Sequence, residues 1–289
     1  MTKLRIGTRG SALALKQAEM IQSELKKAFP LLETELVILK TKGDKITDRP
    51  LYAIGGKGLF ITEFEEALKN NEIDIAVHSG KDLPSETHFP FTIAAVLERG
   101  NVSDIVITKK ETDIKDIKTI GTSSPRRIAM AKRLFNTDFE NLRGNVPTRL
   151  QKLKDGLFDG IILAKAGIER LGIDLENEGF KYYAPHTDKF VPASCQAIIA
   201  CECIKGSEAE KILSYINHSD TKLIFDTERK LMHLLGADCH DAAGVYAVKE
   251  NKNIKITAFY KNSDIISRTV PIIDIEKTLT DMAGELTHE

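Results

Sequence analysis

The chain has 289 residues, 42% of them apolar and 29% charged, with a formal net charge of −1. The length sets an expectation of roughly two domains, with three admissible, and the balanced charge excludes a general nucleic-acid binder, which would be strongly basic. No apolar run approaches the roughly 20 residues that span a bilayer, and the stretch Met1-Thr-Lys-Leu-Arg-Ile-Gly7 enters a strand without the apolar core of a signal peptide, so a cytoplasmic protein with no membrane partner is expected.

Leu4–Thr8 reads as a strand, and Ser11 is placed to cap a helix over Ala12–Phe29, where apolar residues recur at helical spacing. Glu35–Leu39 is a second strand. Residues 42–58 fit neither period and contain four Gly and one Pro, the signature of a long loop of the lid or binding type. Lys57 in Gly55-Gly-Lys-Gly58 invites a phosphate-loop reading. That reading fails because Leu51 stands where Gly is required and Gly58 where Ser or Thr would hold Mg²⁺. A helix over Phe60–Asn70 precedes a short buried strand, Ile73–Val77. The heptapeptide His78-Ser-Gly-Lys-Asp-Leu-Pro84 follows at once, so Lys81 and Asp82 lie just past a strand's carboxyl end, where open α/β sheets bind ligands. A cation and an acid fixed there suit proton transfer to a charged substrate; a surface ion pair is the other reading.

Phe91–Leu97 is another apolar strand, and the alternation restarts with Ile105–Ile107 and Thr119–Gly121. It continues through a helix from Pro125, a helix near Pro147–Lys154 and the strand Gly160–Ala164. The alternation predicts largely parallel sheets and a second α/β domain of about 90 residues. Ala197–Ile204 is expected to return to the first sheet, followed by helices near Glu208–Ile216 and Lys222–Leu235. After Gly244 come the strands Val245–Val248, Ile254–Tyr260 and Ile265–Val270 and a helix over Ile275–Glu285, a small α+β domain.

Basic residues concentrate at strand-to-helix junctions. In Gly121-Thr-Ser-Ser-Pro-Arg-Arg127, Ser124 suits the N-cap and Pro125 the first helical position, and Arg126 and Arg127 add forks that grip carboxylate or phosphate. Leu142-Arg-Gly-Asn-Val-Pro-Thr-Arg149 repeats the theme, as does Arg9-Gly10-Ser11. Between 121 and 149 there are six Lys or Arg and two Asp or Glu. The pattern favours an anion-binding cleft over a set of solvated helix starts.

The four cysteines, at 195, 201, 203 and 239, contain no C-x-x-C pair and read as thiols rather than disulfides. Cys201 and Cys203 share one strand face and read as small core residues. Cys239, in the Gly-flanked turn Leu235-Gly-Ala-Asp-Cys-His-Asp-Ala-Ala-Gly244, is the cysteine expected to be exposed, as an inert turn residue, a nucleophile or an attachment point. His233, Cys239 and His240 match no common zinc spacing, so no metal is expected.

Taken together, Thr8-Arg-Gly-Ser-Ala-Leu-Ala-Leu15, Gly55-Gly-Lys-Gly-Leu-Phe60, Val77-His-Ser-Gly-Lys-Asp-Leu-Pro84, Gly121-Thr-Ser-Ser-Pro-Arg-Arg127 and Leu142-Arg-Gly-Asn-Val-Pro-Thr-Arg149 resemble, in that order, the porphobilinogen deaminase (hydroxymethylbilane synthase) family. The resemblance implies a transferase that joins four porphobilinogens head to tail with loss of ammonia, primed by a dipyrromethane cofactor on a cysteine thioether. It implies two periplasmic-binding-protein-like α/β domains flanking a cleft, plus a small C-terminal α+β domain. The boundaries would be 1–98 with 195–215, then 99–194, then 216–289. It makes Cys239 the attachment site and implies a cytoplasmic, metal-free monomer.

By the same resemblance Asp82 and Lys81 are catalytic, Asp82 contacting pyrrole N–H groups, assisting proton transfer as the amine leaves and stabilising the azafulvene cation. Arg9, Ser11, Lys57, Ser79, Lys81, Thr122, Ser123, Ser124, Arg126, Arg127, Arg143, Gly144, Asn145, Arg149, Arg170 and Gln196 would bind cofactor or substrate. The chain departs from the family's usual Gly-Gln-Gly at Cys195-Gln-Ala197, from its Pro at Ala242, and from a small residue before the cofactor cysteine at Asp238. An acid at 238 is expected to raise the thiol pKa and slow thioether formation. The rival readings are a non-enzymatic small-anion-binding protein on the same scaffold and a family member that loads cofactor but turns over poorly.

Overall fold

The structure, a computed structural model, describes residues 3–40, 61–238 and 240–288. The chain divides into two compact units, Met1–Gly100 with Ala197–Asp226 and Asn101–Gln196 with Thr227–Glu289. In chain order the first unit begins with β1 (Lys3–Arg9), α1 (Ala12–Ala28), β2 (Glu33–Leu39), α2 (Thr62–Lys69), β3 (Ile75–Ser79) and β4 (Phe91–Val96). The second runs through β5 (Asp104–Lys109), β6 (Thr119–Gly121), α3 (Pro125–Ala131), β7 (Asp138–Glu140), α4 (Val146–Lys154), β8 (Gly160–Ala164), α5 (Lys165–Arg170) and β9 (Phe180–Tyr183). Then β10 (Ile199–Ile204), α6 (Glu208–Ser214) and α7 (Ser219–Leu234) lead to β11 (Ala243–Glu250), β12 (Asn253–Tyr260), β13 (Ile266–Pro271) and α8 (Ile275–Thr287).

The first unit is built on a five-stranded sheet in the order β2-β1-β3-β10-β4. Ser11 caps α1, its side chain accepting from the Ala14 N–H at 3.3 Å, and Lys26 and Lys27 in the last turn complement the helix dipole. The buried positions Gln17, Ala18, Ile21 and Leu25 fall on one helical face. They pack on Leu4, Ile6, Ile75, Val77, Cys201 and Cys203. Strands β1, β2 and β3 are parallel, whereas β10 is antiparallel to both β3 and β4, so the sheet is mixed rather than largely parallel. A strand joined to its neighbour by a single helix must run parallel to it; β10 returns after a long excursion and is free of that constraint.

Strand β3 ends at Ser79 rather than Val77. Pairing with β10, which sets Ala200 opposite His78 and Ile199 opposite Ser79, extends it. His78 tolerates burial because its Nε2 lies 3.0 Å from the equally buried Glu202 carboxylate.

The second unit holds a five-stranded sheet in the order β7-β6-β8-β5-β9, again mixed: β6 is parallel to β7 and β8, and β5 antiparallel to β8 and β9. One face packs on Leu150, Leu153 and Phe158, the other on Met130, Phe190 and Phe259. The same unit contains the antiparallel sheet β11-β12-β13 with α8 against it. Gly244 in β11 is forced: an added Cβ would lie 2.6 Å from Phe259 Cε1 and 3.0 Å from the Pro192 carbonyl oxygen. The short elements β7, α5 and β9 were not anticipated, because three to six residues are too few to establish a period.

Cys195 and Ala197 adopt φ values of 58° and 67°, a region that disfavours side chains, at the positions where glycine is the usual occupant in the family that the sequence resembles. Relief of left-handed strain, roughly 1–2 kcal/mol, should offset glycine's unfolded-state entropy of roughly 0.5–1 kcal/mol. Ala197→Gly is therefore expected to leave stability unchanged or to raise it by up to about 1.5 kcal/mol, whereas Ala18→Gly in the buried face of α1 should cost about 1 kcal/mol or more. Denaturant unfolding of the two variants checks the contrast.

Burial pushes the Cys203 thiol up to about 12, with Glu210 and Glu202 adding to the rise against a Ser207 hydrogen bond. A raised folded-state pKa contributes stability that is complete below the unfolded value of roughly 8.5 and is lost as pH climbs toward the folded value. The stability advantage of wild type over Cys203→Ala should therefore shrink by about 1.4 kcal/mol per pH unit above pH ~8.5. Urea titrations at pH 8, 9 and 10 would show it; a constant difference would refute it.

Candidate active site

In the first unit the neighbouring parallel strands β1 and β3 deliver their carboxyl ends to one sheet edge, with Gly7 opposite Ala76. Beyond that register lie Arg9 and Ser11 on one chain and Ser79, Lys81 and Asp82 on the other. A Cβ at Gly7 would come within 2.5 Å of the Ile73 Cδ1 side-chain tip and 3.3 Å of the Ile75 carbonyl oxygen, so glycine leaves Ile73 its place there. Lys81 and Asp82 occupy a single 3-10 turn, Gly80–Asp82, with Lys81 half-buried and Asp82 exposed.

Three contacts pin this turn. The Gly80 N–H donates to the Ile198 carbonyl at 2.8 Å, the Leu83 N–H closes onto the Gly80 carbonyl at 3.2 Å, and the Ser79 hydroxyl exchanges hydrogen bonds with the Gln17 side chain at 2.9 and 3.1 Å. Gln17, buried on α1, was not singled out by sequence. Its signal was a polar residue at an inward helical position. On the far side of β3, burial and the Glu202 charge push the Glu65 carboxyl up.

In the second unit the strand order β7-β6-β8 is parallel throughout, so three carboxyl ends lie side by side at one edge. After β6 come Thr122, Ser123, Ser124, Arg126 and Arg127; after β7 come Arg143, Gly144, Asn145 and Arg149; after β8 comes α5 with Arg170 at its end. Residues from three separate stretches are thus gathered by topology. Ser124 and Asn145 cap α3 and α4, accepting from the N–H groups of Arg127 at 3.4 Å and Thr148 at 3.0 Å. Ser123 Oγ donates to the Leu142 carbonyl at 2.7 Å and accepts from the Leu142 N–H at 3.1 Å, tying the β6 and β7 ends together. Its hydroxyl also contacts the Asn141 side chain. Gly144 takes a φ of 116°, which glycine alone adopts readily, and Arg149 Nε donates to its carbonyl at 2.7 Å.

Arg126 and Arg127 are not solvated. They are 4% and 7% exposed and both contact Asp104, the first residue of β5. Sequence reading missed Asp104, whose signal was an acid opening an otherwise apolar strand. Burial lowers the pKa of the Arg126, Arg143 and Arg170 guanidinium groups, so each gains from an anion that restores its charge stabilisation. Gln196 is fully buried, with Nε2 donating to the Val102 carbonyl at 2.7 Å. Lys57 and Cys239, and with them the 42–58 loop, lie outside the described residues.

The second unit's edge suits an anionic ligand: partly desolvated guanidinium groups flanked by hydroxyl and amide donors. Cys195, Cys201 and Cys203 are buried and therefore unsuited to carrying such a group. No cluster of three metal-ligating side chains occurs among the described residues, and no helix among them is long and apolar enough to cross a membrane.

Residues 4–212 match the family model described as porphobilinogen deaminase, dipyromethane cofactor binding domain. A porphobilinogen deaminase of Clostridium beijerinckii is 40% identical over 90% of this chain and 89% of its own length. A probable porphobilinogen deaminase of Methanocaldococcus jannaschii is 42% identical over 98% and 96%, and a porphobilinogen deaminase of Syntrophomonas wolfei subsp. wolfei is 46% identical over 83% and 78%. Among solved structures, the periplasmic VFT2 domain of Bordetella pertussis BvgS is 11% identical over 79% of this chain and 90% of that chain, with a TM-score of 0.47. With a family model spanning most of the sequence and relatives of this identity over nearly its full length, the chain belongs to the porphobilinogen deaminase family.

Proposed function

We propose that this chain condenses four porphobilinogens head to tail, releasing ammonia at each step, to give hydroxymethylbilane. The observation that carries the reading is the placement of Arg126, Arg127, Arg143, Arg149 and Arg170 after three neighbouring parallel strands. Every pyrrole added brings acetate and propionate groups, so a growing product needs several cations, and guanidinium forks hold carboxylates bidentately. Arg9, Ser11, Ser79, Lys57, Thr122, Ser123, Ser124, Gly144, Asn145 and Gln196 complete the binding set.

A dipyrromethane group, held by a thioether to Cys239, supplies the primer to which substrate is added. Asp82 is the catalytic residue. Its carboxylate accepts the hydrogen bond of the pyrrole N–H, stays ionised while the substrate's ammonium group leaves as ammonia with its own protons, and faces the positive charge that develops on the substrate carbon, an electrostatic role that is often the largest catalytic contribution. Lys81 orients a substrate carboxylate beside it. The tethers from Gln17 and Ile198 keep Asp82 from moving as charge develops, which is what preorganisation requires. The segment 216–289 serves as the cofactor-bearing domain beside domains at 1–98 with 195–215 and at 99–194. The protein works as a cytoplasmic monomer.

The intact mass of the denatured protein should exceed the sequence mass by one dipyrrole, and Ehrlich's reagent should colour it. Cys239→Ser should lose both signals. A wild-type mass equal to the bare sequence would remove the covalent cofactor from the proposal. Asp82→Asn should keep the fold and the cofactor mass yet lose at least about a hundredfold in kcat; near-normal turnover would strip Asp82 of its role. Arg149→Ala and Arg127→Lys should each raise KM for porphobilinogen about tenfold, the loss of one bidentate contact. Unchanged KM in both would sink the assignment of that edge to carboxylate binding.

A further inference from the structure

Asp104 opens β5 directly opposite Ala164, the last residue of β8, so its carboxylate sits at the edge from which the basic segments emerge. The side chain is 1% exposed. Arg126 Nη2 lies 2.8 Å from Oδ2 as an ion pair, while Arg127 Nε and Nη2 lie 2.9 and 2.8 Å from Oδ1. The opposite arms are also fixed: Arg126 Nη1 donates to the Val191 carbonyl at 2.8 Å and Arg127 Nη1 to the Ile162 carbonyl at 2.9 Å. Each guanidinium is therefore held in one orientation by one backbone carbonyl and the shared acid.

The charge count is unequal. Two guanidinium cations and one carboxylate leave one formal positive charge, and among the described residues Asp104 is the sole acid in ion-pair contact with either arginine. A clamp that served stability alone would be complete with one cation per carboxylate, since a second buried cation adds desolvation and like-charge repulsion. The surplus charge has a use if a further anion joins the pair.

We infer that Asp104 is a positioning residue that fixes both the orientation and the net charge of the Arg126–Arg127 pair, so that the pair receives a single carboxylate group of the pyrrole chain. The inference rests on the reading of Arg126 and Arg127 as carboxylate ligands. Removing the acid's charge leaves two buried cations unbalanced, which raises demand for small anions and misdirects both forks. Lengthening the acid restores the charge but not the placement.

The test uses the cofactor-loaded full chain as Asp104→Asn and Asp104→Glu, with sodium sulfate as the anion probe. In Asp104→Asn, sulfate should raise Tm more steeply than in wild type, and KM for porphobilinogen should rise about tenfold with a smaller change in kcat. In Asp104→Glu the sulfate response should return toward wild type while KM stays raised. A destabilised Asp104→Asn with wild-type KM and wild-type sulfate dependence would reduce Asp104 to a structural clamp and overturn the inference. Should Asp104→Asn fail to fold, Asp104→Glu decides, since wild-type KM there overturns it equally. If Arg127→Lys raises KM and neither Asp104 variant does, the inference fails and the binding reading stands. If none of the three changes KM, the binding reading fails with it.

Discussion

When the second unit folds, water leaves Asp104, Arg126 and Arg127, and their contacts with one another and with the Val191 and Ile162 carbonyls offset that loss. Burial works against the charge on Arg126 and the Asp104 carboxylate works for it. The arrangement holds because β5 and β8 run antiparallel, which brings the amino end of one to the carboxyl end of the other. Strand direction thus decides that an acid and two bases from distant stretches meet. The other donors of this edge, from Thr122 to Arg170, are placed by the same sheet and need no contact with the triad to be aligned with it.

The first unit solves a different problem with the same geometry. Its candidate pair, a half-buried lysine and an exposed aspartate, shares one short turn, and an exposed turn is mobile unless tied down. Here the ties are made one to three residues upstream of the pair: Gly80 to Ile198, Ser79 to Gln17, and the buried His78–Glu202 contact across β3 and β10. Rigidity is supplied from the strand, and the exposed Asp82 stands on the turn so fixed.

Most of this was legible from residue type and spacing. The caps at Ser11 and Ser124, the strand ends bearing Lys81–Asp82 and Arg126–Arg127, and the return of the segment after Ala197 to the first sheet follow from local rules that tertiary structure did not override. What local rules could not supply was direction and partnership. Nothing in Ile199–Ile204 encodes that β10 enters antiparallel between β3 and β4, because that depends on where the chain has been. Asp104, Gln17 and Glu202 read as ordinary polar residues until the residue that each neutralises or bonds is known. The elements β7, α5 and β9 are too short to carry a periodic signal, and they exist because a neighbouring strand or turn completes their hydrogen bonds.

The position of β10 has a temporal consequence. It separates β3 from β4, so the first sheet cannot be assembled from the first hundred residues to leave the ribosome. Until residue 204 has emerged, β3 and β4 present open edges to the surrounding solution, and the intervening stretch can gather its own strands first. The amino-terminal unit, begun earliest, is therefore obliged to wait on material translated after most of the other sheet. Completion of the two sheets runs against the order of the numbering.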